Sequence, residues 1–448
     1  MRNNLFHIWW ARFRCWYLNW RYLLVSGLML AVILGGGLCL LLGSETRKVP
    51  LLLADDACSL AEGNDWRQML KPAELGSWLH DEAFSRLPVA TEFEGATANG
   101  RRVKVFTTLD PEIQTTLIKL LRRYHPQLGA GVVIDLASGA VEAMASYRHR
   151  DEGGKILPRE YGNLCLHSPF PAASLFKIVT AYGVLCRKGI DRHTTFPLVG
   201  RRHTLYRYQL GLGKSRYRYR PVAVSLEEAF ARSVNPIFGK FGIDYFPPPK
   251  LMALGEKFAF NRDLGFDLPL ERSLLVTPAS DFERAETACG FIKSTRISPV
   301  HAALLAGAPL LGTALKQPYV VDRVIDAQGV ELYSHRPEPA VLQLANAGAC
   351  RELTAMMRAT VRYGTAKKSF RHLKRRRIYR QWDLGGKTGS LDMPGNDHRC
   401  EWFAGFARDR KQGCRYAVAV VLVHGEKRTI SSSYIAAELM AAELRKKR

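Results

Sequence analysis

No two of the nine cysteines in the 448-residue sequence form a CxxC pair, and none is spaced with histidine in the manner of a zinc or haem site. The chain therefore offers no metal site and no redox dithiol, and nothing in it implies a cofactor. Internal repeats and low-complexity tracts are missing too, so solenoid and linker architectures are set aside. Acid is scarce. Asp and Glu number 41 against 65 Lys and Arg, a net charge of +24. The apolar share, 47%, is ample for one large domain or two ordinary ones.

Residues 22–43, YLLVSGLMLAVILGGGLCLLLG, carry no charge and are long enough to cross a bilayer. The run is too long for a signal-peptide core, and no small-residue cleavage site follows it. Arg2, Arg12, Arg14 and Arg21 precede it without an acid, and Glu45, Arg47 and Lys48 follow it. Trp9, Trp10, Trp16 and Trp20 fit an interfacial aromatic belt. The positive-inside rule predicts residues 1–21 as a cytoplasmic tail, 22–43 as a single transmembrane helix and the remainder outside the cytoplasm. That remainder divides into a juxtamembrane segment, 44–102, and one domain, 103–448.

From residue 49 onward, 59 basic and 40 acidic side chains leave a net +19. Two stretches concentrate it. Residues 201–220 interleave Tyr206, Tyr208, Tyr217 and Tyr219 with seven Arg or Lys, and 367–380 hold eight with no acid. Export argues against nucleic acid as a partner and favours anionic lipid or an acidic surface polymer. A solvated hairpin and a solvated loop are the plainer readings, and the alternation around Gly211-Leu212-Gly213 predicts two strands and a turn. Seven cysteines lie beyond the predicted span, an odd number that leaves at least one without a partner in the chain. Cys400 and Cys414 fall on a predicted hairpin turning near 409–413, in a register that separates them too far for a bridge.

Along the chain, 66–79 predict a helix, and 105–125 a short strand followed by a helix capped at Asp110-Pro111. Residues 129–147 read as strand, turn, strand. Helical and loop sequence then runs to about 380, before a strand at LGGKTGSL, a hairpin at 401–425 and a closing amphipathic helix. Strands from both ends with helices between them suit an α+β fold, an antiparallel sheet flanked by helices.

Within PFPAASLFKIVTAYGVL, residues 169–185, Pro171 suits a first helical turn. Leu175, Ile178, Val179 and Tyr182 then follow the helical period. Ser174 and Lys177 share one face of that helix. A lysine held against an apolar wall spends time neutral and can take the proton of a serine that is otherwise a weak nucleophile. Ser-x-x-Lys alone arises roughly once by chance in such a chain. Ser233-Val234-Asn235 and Lys387-Thr388-Gly389-Ser390 follow it in order, however. The triple of S-x-x-K, S-x-N and K-T-G resembles the signature of the transpeptidase domain of penicillin-binding proteins, relatives of the serine β-lactamases.

The resemblance extends over about 103–440 and includes TTLDPEIQ, VVIDLASGAVEAMAS, the Leu-Pro-x-Glu stretch LGFDLPLE, TRISPVHAALLAGA and WFAGFA. Departures are Ile178 where proline is frequent, Ala173 for glycine, and Ser390 for threonine. It implies catalytic roles for Ser174 as nucleophile, Lys177 as base, and Ser233 with Lys387 as proton carriers. It further implies that Asn235, Thr388, Gly389 and Ser390 bind substrate, with an oxyanion hole at the N–H groups of Ser174 and Ser390. The partners implied are peptidoglycan stem peptides, β-lactams and a glycan polymerase. Residues 44–102 are too few for the glycosyltransferase domain of bifunctional members or for the usual pedestal, so a monofunctional, single-pass inner-membrane protein is expected. A D,D-carboxypeptidase, a serine β-lactamase and a non-catalytic β-lactam sensor are the alternatives. A periplasm-only reporter fused after Arg448 should be active, and cytoplasmic activity would overturn the topology.

Overall fold

The computed structural model describes residues 84–96, 100–149, 156–214, 219–312, 314–336, 340–375, 377–395, 398–413 and 415–446. The expected membrane span at 22–43 and the helix expected at 66–79 lie outside them. Among the described residues no helix is long and apolar enough to cross a membrane.

The chain opens with strands β1 (Glu92–Ala96) and β2 (Arg102–Thr107), helix α1 (Pro111–Tyr124), and strands β3 (Leu128–Asp135) and β4 (Val141–Arg148). Then come α2 (Lys177–Leu185), β5 (Thr195–Leu198), β6 (Val222–Ser225), α3 (Leu226–Ala231), α4 (Asn235–Tyr245) and α5 (Pro248–Lys257). They are followed by α6 (Asp281–Cys289), α7 (Pro299–Leu311), β7 (Ala314–Lys316), β8 (Val321–Asp326), β9 (Glu331–Ser334) and β10 (Ala340–Gln343). The last elements are α8 (Ala347–Arg362), α9 (Arg371–Lys374), β11 (Trp382–Asp392), β12 (Arg399–Asp409), β13 (Arg415–His424) and α10 (Ser432–Lys446).

The central sheet has the order β11-β12-β13-β3-β4, with every pairing antiparallel. Because side chains alternate between the faces of a strand, β13 divides its residues between two cores. Val418, Val420 and Leu422 pack with Ile113, Leu117 and Leu121 of α1 and with Ile435 and Leu439 of α10. Ala417, Ala419 and Val421 point the other way, into the larger core with Val300 and Leu304 of α7 and Phe176 beside α2. Helices on both faces explain why β3 and β13 read as unbroken apolar runs. The fold is α+β, as the sequence implied. Asp110 caps α1 by accepting from the N–H groups of Glu112 (2.9 Å) and Ile113 (3.0 Å).

Several local expectations need correction. The described residues of 201–220 form no hairpin; they hold a short 3₁₀ turn, Arg207–Leu210, closed by Gly211 at φ +80°. The stretch read as helix and loop before residue 380 contains β7–β10, strands of three to six residues that are too short to show a period. β8 and β9 join β1 and β2 in a second antiparallel sheet, and β1 falls within the segment expected to be juxtamembrane. The last helix is not amphipathic: Ile435 to Leu444 are nearly all buried, because β12, β13 and α1 enclose it. Cys400 faces Val423, near the open end of its hairpin, and Cys414 lies outside the described residues.

Asp383 anchors β11 to its neighbours. Its carboxylate, 2% exposed as a residue, accepts from Arg358 of α8 (2.5 and 2.6 Å) and from Arg408 of β12 (2.6 Å). The arginines reach water, so the loss on Asp383→Ala is moderated by their resolvation. We expect about 2–3 kcal/mol of destabilisation, read as a lower urea midpoint.

Candidate active site

The chain bends at Phe170, and Pro171 bridges Arg296 while its carbonyl accepts from the Trp402 indole (2.9 Å). Helix therefore does not begin at Pro171, as its sequence suggests. Ala173 turns the backbone at φ +47°, a 3₁₀ turn spans Ala173–Phe176, and α2 starts at Lys177. Ser174 sits on that turn, half-buried. A left-handed alanine is unusual and is held by what lies against it. Gly290, itself at φ +67° at the end of α6, comes so close that a Cβ there would stand 1.8 Å from the Ala173 carbonyl oxygen.

Lys177 is fully buried. Its Nζ lies 2.9 Å from Ser174 Oγ, 2.8 Å from Asn235 Oδ1 and 2.5 Å from the Cys289 carbonyl oxygen. Two of these partners are pure acceptors and the third is a hydroxyl that can donate. A neutral amine has two N–H donors and one lone pair, so this set satisfies the neutral form completely. Burial pushes the lysine down to about 8, opposed by the Cys289 side chain. Unfolded, the same amine holds its proton to about 10.4, so this group makes the fold more stable as pH rises from about 8 towards that value.

The second lysine repeats the pattern. Lys387 on β11 is also fully buried, and its Nζ donates to Ser233 Oγ (2.9 Å) and to the Thr388 carbonyl (2.9 Å). Burial, then repulsion by Lys177, hold it well below the usual lysine range. Phe230 and Phe238 give the two amines aromatic walls at 5.6 and 5.7 Å. Helix was expected to run up to Asn235-Pro236; instead α3 stops at Ala231, Ser233 adopts φ +57°, and α4 begins at Asn235 with the proline in its first turn. The left-handed residue aims the Ser233 hydroxyl at Lys387.

Thus Ser174, Lys177, Ser233, Asn235 and Lys387 come together as two joined serine–lysine pairs. The remaining predicted residues lie along β11. Thr388 Oγ1 is 2.6 Å from Thr365 Oγ1, and Ser390 Oγ accepts from Arg399 Nε (2.6 Å). Arg399 also pairs with Asp392 at 2.9 Å. Gly389 brings the strand against the serine turn, since a Cβ on it would lie 3.4 Å from Ser174 N. β11 has β12 on one side and no strand on the other among the described residues, so its outer edge has no strand partner beside Ser174.

The sequence reading missed Thr365, Arg399, the Cys289 carbonyl, Gly290 and His203. No local signal marks them. The His203 carbonyl accepts from Asn235 Nδ2 (3.1 Å), leaving that amide one further N–H. Partial burial is the largest influence holding the His203 imidazole below its usual range; a hydrogen bond to the Ser233 backbone opposes it, and Lys177, Lys387 and Arg202 add to it.

Residues 129–443 match the family described as the penicillin binding protein transpeptidase domain. The chain belongs to that family. No curated protein matches it in sequence. Among solved structures it is similar to the D,D-transpeptidase domain of a peptidoglycan glycosyltransferase from Eggerthella lenta, at TM-score 0.61 and 24% identity over 77% of this chain and 83% of that one. It is also similar to penicillin-binding protein A from Mycobacterium tuberculosis, at TM-score 0.59 and 20% identity over 76% and 80% of the two chains. For penicillin-binding protein 3 of the same organism the values are 0.60, 18%, 77% and 79%. At these identities the solved structures support the fold of this penicillin-binding protein domain.

Gly290→Ala tests the packing beneath the serine turn. Its Cβ has no room, and positive φ adds strain, so about 2–4 kcal/mol of destabilisation is expected by urea denaturation. Gly389→Ala, whose Cβ would make contacts of 3.2 Å and longer, should cost less.

Proposed function

We propose that the protein is a serine D,D-transpeptidase that cross-links peptidoglycan stem peptides and is acylated by β-lactams. The observation that carries this reading is the pair of water-excluded lysines, each on a serine hydroxyl, at the unpaired edge of β11. Ser174 Oγ attacks the carbonyl of a D-Ala-D-Ala bond while Lys177 takes its proton. The backbone N–H groups of Ser174 and Ser390 receive the developing oxyanion. Ser233, held by Lys387, passes a proton to the departing D-alanine amine. An acceptor amine on a second stem peptide then attacks the acyl-enzyme and closes the cross-link.

An extended peptide adds to the outer edge of β11 as a further strand, with backbone hydrogen bonds fixing its direction. Its terminal carboxylate lies by Thr388 and Ser390, where Arg399 supplies positive charge. The spare N–H of Asn235 holds a peptide carbonyl. We place the domain outside the cytoplasm on a single membrane span at 22–43, beside a glycan polymerase partner that supplies the strands.

A carboxypeptidase or β-lactamase would use water in place of the amine. Fast hydrolysis needs a base aimed at that water. Among the described residues no carboxylate hydrogen-bonds to Ser174, Lys177, Ser233, Asn235 or Lys387, which favours transfer over hydrolysis.

A fluorescent penicillin tests the reading. It should label Ser174, with an adduct persisting for minutes, and Ser174→Ala should remain folded and unlabelled. Lys177→Ala should slow labelling by about two to four orders of magnitude. The labelling rate should rise with pH and level off above about 8, because only the neutral amine accepts the proton. Labelling of Ser174→Ala, or turnover of several penicillins per second, would overturn it.

A further inference from the structure

The second basic stretch, read from the sequence as a solvated loop, starts at the site and is anchored along its length. Thr365 N donates to the Ala231 carbonyl at the end of α3 (3.0 Å), and its hydroxyl meets that of Thr388 on β11 (2.6 Å). Ser369 Oγ lies 3.0 Å from Ser431 Oγ and 2.7 Å from Ser433 Oγ. Phe370 and Leu373 are fully buried. Lys374 Nζ donates to the Arg362 carbonyl at the C-terminal end of α8 (2.8 Å). Held this often, residues 365–374 present one fixed outer face to water.

That face is cationic. Arg362, Lys367, Lys368 and Arg371 are exposed, and among the described residues no carboxylate pairs with any of them. The acid that does touch the stretch, Glu438, goes to His372 (2.6 Å). Partial burial, then the charges of Lys367 and Arg362, hold Lys374 below the usual lysine range, so these cations stand close enough to repel one another. Keeping like charges together costs free energy, and an anion bound across them relieves it. Two observations choose the anion. Phe370 and Leu373 are turned into the core, so the stretch has no large apolar side chain to insert into a lipid layer. Successive Cα atoms are about 3.8 Å apart, which keeps the Lys367 backbone within about 8 Å of Thr365 and its partner on β11. A bilayer pressed onto these lysines would cover the approach to the site, whereas a polymer led into the site would not.

We propose that Arg362, Lys367, Lys368 and Arg371 form a docking surface for the donor strand, a glycan polymer whose stem peptides carry carboxylates. While one stem peptide lies along β11 with its end by Thr388, carboxylates of that peptide and of its neighbours on the strand meet these cations. The surface thus holds the polymer while its peptides are presented to Ser174. This proposal rests on the transpeptidase reading, which is what makes an acidic, peptide-bearing polymer the substrate.

The test uses the full chain in detergent. The separate probes are purified uncross-linked glycan strands, the same strands with their carboxyl groups amidated, phosphatidylglycerol vesicles and fluorescent penicillin. K367Q/K368Q/R371Q should weaken binding of the native strands about tenfold at low salt, roughly twofold per charge, and the difference should fade as salt rises. Its urea midpoint should match the parent's, because the three side chains are exposed and unpaired. K367R/K368R/R371K keeps the charge and should keep strand binding within about twofold of the parent's. K188Q/K250Q/K257Q removes the same charge from exposed lysines after α2 and on α5, and should lose less than about twofold. Unchanged binding by K367Q/K368Q/R371Q would overturn the proposal. An equal loss in K188Q/K250Q/K257Q would reduce the effect to net charge and overturn it too, as would amidated strands binding as well as native ones. A loss of vesicle binding as large as the loss of strand binding would make the surface a lipid contact instead. Failure of the parent to take penicillin would sink the transpeptidase reading, and strand binding would still decide what these cations hold.

Discussion

Two lysine side chains without access to water, and without a hydrogen-bonded carboxylate, set the terms for everything around them. An ammonium ion in such a place is costly, and the protein meets the cost by letting the amines give up protons. For Lys177 the depression to about 8 corresponds to roughly 3 kcal/mol of lost preference for the charged form. That energy is set against folding, and it leaves more of Lys177 neutral and able to take the Ser174 proton. The walls follow from it. Phe230 and Phe238 exclude water, α3 and α4 are broken apart to deliver Ser233 and Asn235, and β11 is buried along most of its length to carry Lys387 inward.

The chemistry was legible from the sequence because it resides in residue types at short spacing. Ser174 and Lys177 are one turn apart, and Lys387-Thr388-Gly389-Ser390 is a single strand segment. The central sheet was legible for a related reason: a strand covered on both faces has no polar alternation to disguise it, as in β3 and β13. What stayed hidden depends on chain closure. The Cys289 carbonyl reaches Lys177 from 112 residues away, and Arg399 reaches Ser390 across a hairpin. Pro171 misled because a tertiary bridge to Arg296 overrode its preference for a helix start. Residues 201–220 misled because alternating Arg and Tyr imitates a strand, whereas Tyr206, Tyr208 and Tyr219 stack on one another.

The serine turn and the glycine beneath it show how a short motif borrows its geometry. Ala173 carries a conformation that a glycine would adopt freely, and the freedom has moved to Gly290, on a helix more than a hundred residues later. The two positions act as one backbone fixture. The strain lies beside the nucleophile, on the turn that sets the Ser174 nitrogen close to Gly389 of the strand.

The unpaired edge of β11 has an evolutionary cost. An open strand edge invites any extended chain, including another copy of the same protein. The usual protections, an inward charge, a proline or a covering loop, would each obstruct the groove beside Ser174. Selection against clumping therefore cannot act on the inner part of this edge without removing its use, and is left to the rim and to net charge. The large excess of arginine and lysine keeps copies apart by repulsion, and so guards an edge that must stay open.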